Sequence, residues 1–269
     1  MKSALLTLVI IATAAACGGK VVRDDYALDS QYHQSEKASV QEMINRVTEF
    51  NNRASRFLSA EFILDGAQRD KKFRVIGNLQ YDRESRAMHA AFYDYIFKSP
   101  VLVFFVEKDV IHLYYPAEKK LFVDKMKGFD LADYGGPGMS IDLLLTLATG
   151  GIPMIDGYHV KQGLDANDGN GTMLLLESSR YFETLSFRKD RPDKILLIDR
   201  NSRDRFEIYL KKSVDRAEGT FFSNIILVST QPGLRIDIRF NNMQWKGPVT
   251  VKTVRDLKLP PGVRIITNR

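Results

Sequence analysis

Between residues 40 and 50 the apolar positions of this chain recur every three or four residues, and beyond residue 56 they alternate. Val40, Met43, Ile44, Val47 and Phe50 make one stripe at helical spacing. Ser39 and Glu42 have the form of a capping box at its start, and Asn51 and Asn52 mark its end. In 58–64, Leu58, Ala60, Phe62 and Leu64 alternate with Ser59 and Glu61. In 72–81, Phe73, Val75, Gly77, Leu79 and Tyr81 alternate with Lys72, Arg74, Asn78 and Gln80. A period of two predicts half-buried antiparallel strands. Segments 88–93, 101–107, 110–115 and 120–125 follow across short turns and predict a meander. Further strands are predicted at 158–163, 173–177, 182–188, 194–199, 206–210, 221–229 and 234–245.

Two stretches break this rhythm. Residues 129–153 hold a loop with Gly135, Gly136, Pro137 and Gly138, then Ser140 as a cap, then a short helix over 141–148 that closes at Gly150 and Gly151. The helix carries Ile141, Leu143, Leu144, Leu145, Leu147 and Ala148, so it is apolar nearly all round and needs cover on most sides. Lying between two blocks of strands, it is placed to plug or lid a sheet. The second stretch is the connection 92–100, where Tyr93, Tyr95, Ile96 and Phe97 stand in place of turn formers. Those side chains either fold back into a core or form an exposed apolar tip.

The pattern predicts one large, curved antiparallel sheet with helices on its inner side. Composition agrees: 44% hydrophobic and 27% charged residues in a chain of 269 is ordinary globular chemistry, and no shift in composition marks a second domain. The net charge of +6 is spread along the chain and mildly favours anionic partners. No zinc spacing, RNP-like motif or long Lys/Arg block is present, so no nucleic-acid partner is expected.

The N-terminus adds a compartment. Lys2 precedes an apolar run over 4–12 that is too short to span a bilayer, and small residues lead to Cys17, the single cysteine. This arrangement resembles a bacterial lipoprotein signal peptide, with Ala14 where the usual motif has Leu. The resemblance implies cleavage after residue 16 and lipidation of Cys17; an ordinary secretory signal cut near Ala16 is the other reading. The domain organisation expected is a signal peptide over 1–16, a flexible tether over 17–37 and a folded domain over 38–269. Enterobacterial lipoproteins carry an Asp after the Cys as an inner-membrane retention signal; with Gly18 and Gly19 there, the resemblance implies the outer membrane. With one cysteine, no internal disulfide supports the fold.

Catalytic patterns are missing: there is no G-x-S-x-G, H-E-x-x-H or P-loop. His33, His89, His112 and His159 are scattered. The run from Asp165 to Gly171 fails as a calcium loop, because Gly169 and Asn170 fall at positions five and six and Glu177 at thirteen. No cofactor, metal or enzymatic activity is expected. What remains is a surplus of apolar side chains, which serves either as plain core packing or as the lining of a cavity for acyl chains.

In order and spacing the motifs resemble the LolA/LolB-like family of periplasmic lipoprotein carriers and outer-membrane lipoprotein receptors. The resemblance runs from about Ser39 to the C-terminus. It rests on the amphipathic helix, a Gly-x5-Arg strand from Gly77 to Arg83, a strand pair ending in Tyr115 and Pro116, the apolar helix after a Gly-rich loop, and a closing Pro260-Pro261-Gly262-Val263. It implies a half-open antiparallel β-barrel, here of about eleven to twelve strands, with an N-terminal amphipathic helix and a short apolar lid helix. It further implies acyl-chain binding by Phe62, Leu64, Phe73, Val75, Leu79, Met88 and Phe92, a lid of Leu143, Leu144 and Leu147 latched by Arg83, and a membrane-touching loop of Tyr95, Ile96 and Phe97. Glu84 stands where the carrier often has Pro, and the loop matches the receptor's by position and not by motif.

The function expected is that of a lipid-anchored envelope protein on the periplasmic face of the outer membrane. It would bind acylated lipoprotein or lipid cargo, with a soluble periplasmic carrier as a candidate donor, and help transfer it to the membrane. The alternative is a lipid- or lipoprotein-sensing regulatory or envelope-maintenance lipoprotein of the same fold.

Overall fold

The computed structural model describes residues 32–68, 71–126, 129, 141–189, 191–216, 219–229, 233–245, 247 and 249–267. The expected signal peptide, Cys17 and most of the tether lie outside the described residues.

Strands β2 (Phe57–Gln68), β3 (Lys71–Asp82), β4 (Ala87–Asp94), β5 (Pro100–Glu107), β6 (Val110–Tyr115) and β7 (Lys120–Lys125) form the expected meander. Strands β8 (His159–Ala166), β9 (Gly171–Glu177), β10 (Tyr181–Arg188), β11 (Arg191–Asp199), β12 (Arg205–Arg216), β13 (Gly219–Ser229) and β14 (Leu234–Gln244) form a second. The two join where β14 pairs with β2, Phe240 opposite Phe62 and Ile238 opposite Leu64. Two short strands that alternation did not show complete one open sheet of 15 strands among the described residues. At one edge β1 (Tyr32–Gln34) pairs with β8, inside the stretch expected to be tether. At the other, β15 (Arg264–Thr267) runs parallel to β7. Each has only three or four residues, too few to display a period.

Two helices cover the inner face. Helix α1 (Lys37–Arg53) starts earlier than Ser39, which lies inside it; Glu36 is the cap and makes no side-chain capping bond. Tertiary pairing sets the start: the Ser35 amide donates to the Gly163 carbonyl at 2.9 Å, and the chain turns into the helix directly afterwards. Helix α2 (Ile141–Ala148) has the expected bounds, while Ser140 lies outside the described residues. Met43 and Val47 of α1, Leu145 and Leu147 of α2, and Ile152 and Ile155 beyond it are buried in one core with Leu58, Ala60, Phe62, Leu79, Met88 and Phe104.

The outer face has a smaller core. Ala91, Val103, Phe105, Tyr114 and Leu121 are buried beneath Val254, Leu257 and Val263 of the C-terminal segment. Glu107 accepts the Val254 amide at 2.7 Å and holds that strap in place. Strands β4 to β6 are thus covered on both faces over much of their length, which accounts for the apolar run from Leu102 to Val106.

Candidate functional site

The inner face divides into a filled end and an open end. At the filled end Leu79, Tyr81 and Met88 are buried beneath the helices and the 152–155 segment. Toward the other end Leu64, Val75, Phe92, Leu102, Ile236 and Ile238 are only half-buried. Phe62 sits between the two regions, its ring 5.1 Å from Phe92 and 6.4 Å from Phe240. Gly77 makes that packing possible: a Cβ there would lie 2.3 Å from the Phe62 ring and 2.2 Å from the Ala91 carbonyl oxygen. Phe73 is exposed at the far end and lays its ring over Gly66. The seven residues expected to line a cavity therefore share one face, but those at the filled end are packed core, and the half-buried strip forms the accessible part.

The lid is held by bonds that alternation could not foretell. Among the described residues Arg83 makes no bond to α2. Its guanidinium donates to the carbonyl oxygens of Asn51 at 2.8 Å and Ala54 at 3.4 Å, the end of α1, where carbonyls lack helical partners and a cation is favoured. The Asn51 side chain then accepts the Ile152 amide at 2.7 Å and donates to the Ile152 carbonyl at 2.9 Å. Arg83 thus reaches the lid's trailing segment through α1. An ion pair to α2 comes instead from Arg86, whose guanidinium lies 3.6 Å from Asp142 and 3.2 Å from Asp109. Leu143 is half-buried and Leu147 buried, while the side chain of Leu144 lies outside the described residues. A cavity of about 580 Å³ opens beside this anchorage, lined in part by Asn51, Arg83, Thr146, Ser179 and Arg180.

Glu183 is a further anchor. It is 1% exposed and accepts the Ile155 amide at 3.0 Å through Oε2, while Oε1 has no partner among the described residues. Burial pushes its carboxyl up to about 8, with the Ile155 amide pulling weakly the other way, so it is largely protonated at neutral pH. The sequence carried a signal for it: Glu183 shares its parity on β10 with buried Leu185 and Phe187.

At the opposite end the 95–99 connection is a tight, exposed tip. Asp94 Oδ1 accepts the amides of Ile96 at 2.9 Å and Phe97 at 2.7 Å, and the Asp94 carbonyl accepts the Lys98 amide at 3.0 Å. Lys98 adopts φ +55° to close the turn. Ile96 is 75% exposed and Phe97 81%. With the turn's backbone tied inward, the two side chains point outward. Phe73, Tyr95, Ile96, Phe97 and Val101, all at this end, are five of the nine exposed large hydrophobic residues among those described. Of the two readings the sequence left open for 95–97, the exposed tip is the one observed. It lies roughly 30 Å along β3 from Arg83, taking about 3.4 Å per residue.

No protein-family profile matches the sequence, and no curated protein matches it significantly. Solved structures do match. A domain provisionally assigned to outer-membrane lipoprotein sorting, from Vibrio parahaemolyticus, superposes with a TM-score of 0.56 at 12% identity, over 78% of this chain and 94% of that one. A DUF1329 family protein from Desulfovibrio piger gives 0.57 at 11% identity, over 78% and 95%. A LolA superfamily protein from Nitrosomonas europaea gives 0.55 at 8% identity, over 80% and 98%. The class is therefore that of an open, helix-filled β-sheet. In particular the fold is LolA-like, as the order of motifs implied.

Proposed function

We propose that this chain is a lipid-anchored protein of the bacterial envelope that holds acyl chains on the inner face of its sheet and passes them to a membrane at its tip. The observation that carries this reading is the outward projection of Ile96 and Phe97 at the end where the apolar inner strip lies half open. An exposed apolar cluster of this kind marks an interaction site. Burial of acyl methylenes on the strip would stabilise the complex by about 0.8 kcal/mol each. Longer chains would reach the filled end only if α2 and the 152–155 segment move aside, giving up the Asn51, Arg86 and Glu183 contacts. Cys17 would carry the anchor, and Gly18 and Gly19 favour placement in the outer membrane, facing the periplasm. The work is binding and release, with no covalent step. Lipoproteins and lipids are the cargo class, in keeping with the sorting role assigned to the Vibrio parahaemolyticus domain.

The Cys17→Ser protein provides the test. It should bind a fluorescent fatty acid, and Leu64→Glu with Phe92→Glu should weaken that binding at least about tenfold, since each change places a charge on the apolar strip. Mass spectrometry of the purified protein should find acylated molecules. Fatty-acid binding that ignores both substitutions would count against the inner face as the site.

A further inference from the structure

We infer that the tip docks on an anionic lipid surface, read by a collar of basic side chains around the apolar residues. The inference rests on the reading of residues 95–97 as a membrane tip, and it adds which membrane chemistry that tip selects. Arg74 lies 5.1 Å from the centre of the Tyr95 ring and Lys98 4.8 Å from it. Beside them Lys72, Arg74 and Arg235 border a shallow hollow of about 540 Å³ together with Phe73. Lys71 closes the β2–β3 pairing at the same end, opposite Gln68. Lys71, Lys72, Arg74, Lys98 and Arg235 are all exposed.

Among the described residues three carboxylates lie beside these cations, and each is engaged by the protein. Asp65 is held by Arg74 and Arg239, which keep its carboxyl below the usual range. Asp94 accepts the tip amides. Asp237 accepts from the Asn224 side-chain Nδ2 at 2.7 Å and lies 3.8 Å from Arg239. Their charge is spent inward, while Lys71, Lys72, Lys98 and Arg235 face solvent. Apolar side chains that enter the acyl region, flanked by cations at headgroup depth, make the two-part signal that an anionic bilayer binds. A purely apolar tip would not distinguish one bilayer from another.

The experiment is vesicle cosedimentation of the Cys17→Ser protein. One vesicle is phosphatidylcholine alone and the other is one part phosphatidylglycerol to two parts phosphatidylcholine. The collar variant is Lys72→Gln with Lys98→Gln and Arg235→Gln; Arg74 is left in place because it holds Asp65. Each basic side chain near such a surface is worth on the order of fivefold in partition, so the triple variant should bind the anionic vesicle about 100-fold more weakly. Salt should weaken binding of the parent protein to the anionic vesicle and leave the neutral one unaffected. Ile96→Glu with Phe97→Glu should reduce binding to both vesicles. Equal partition of the parent protein onto both vesicles, or a triple variant that binds like the parent, overturns the collar and leaves the tip intact. Normal binding by the tip variant overturns the tip reading itself. Binding to neither vesicle overturns both and assigns the surface to a protein partner. Unchanged thermal midpoints for the variants, whose altered residues are exposed, show that folding is not the cause.

Discussion

A buried carboxyl that keeps its proton makes stability depend on pH in a direction that can be worked out. Glu183 has an ordinary value of 4.5 and a folded value of about 8. Below about 4.5 both the folded and unfolded chains hold the proton, and burial of the acid carries no ionisation cost. Between there and about 8 the unfolded chain has lost the proton that the folded chain keeps. Stability then falls by about 1.4 kcal/mol per pH unit, and above that window the loss is complete. Glu183→Gln keeps an oxygen for the Ile155 amide and cannot ionise. Relative to the parent, its urea midpoint should improve steadily from about pH 5 to about pH 8. A constant difference across that range would mean that Glu183 is not buried as described. Gly77 is a residue whose presence was legible and whose reason was not. Alternation placed it on the inner face, but only the packed structure shows the Phe62 ring and the Ala91 carbonyl where a Cβ would go. Gly77→Ala should cost about 1–3 kcal/mol in chemical denaturation.

At the scale of elements, periodicity found the long strands and α1, since each repeats its period several times. It missed β1, β15 and the true start of α1, which are set by pairing with β8 and β7 and not by local pattern. The lid shows the same limit. Its helix was legible from the density of leucines, but its fastening was not. Arg83 and Arg86 flank one turn, and only the fold sends the first to α1 and the second to Asp142. The Arg86–Asp142 contact is solvent-exposed and is worth at most about 1 kcal/mol. The paired bonds from Asn51 to the Ile152 backbone are partly buried and matter more. Asn51→Ala should therefore raise hydrogen exchange at Ile152 and its neighbours on the order of tenfold to 100-fold, as losing about 1–3 kcal/mol implies. Arg86→Gln should change it only a few-fold. Equal effects of the two substitutions would show that the lid is not hung from α1.

On the proposed function, two tasks are separated along the strands. The helices and the fastened lid fill one end of the inner face, and an apolar strip leads from there to a tip that the backbone holds outward. The sequence made the fold class legible through motif order, and the tip through aromatic residues in a connection. It left open whether that tip was buried, because exposure depends on which neighbouring strands extend past it. Separate ends imply separable losses. The central claim is tested most directly by transfer of a fluorescent acylated lipoprotein from the Cys17→Ser protein to vesicles, with Ile96→Glu and Phe97→Glu as the variant. The variant should bind the lipoprotein as tightly as the parent and deliver it at least about tenfold more slowly. Delivery at the parent rate would contradict the account.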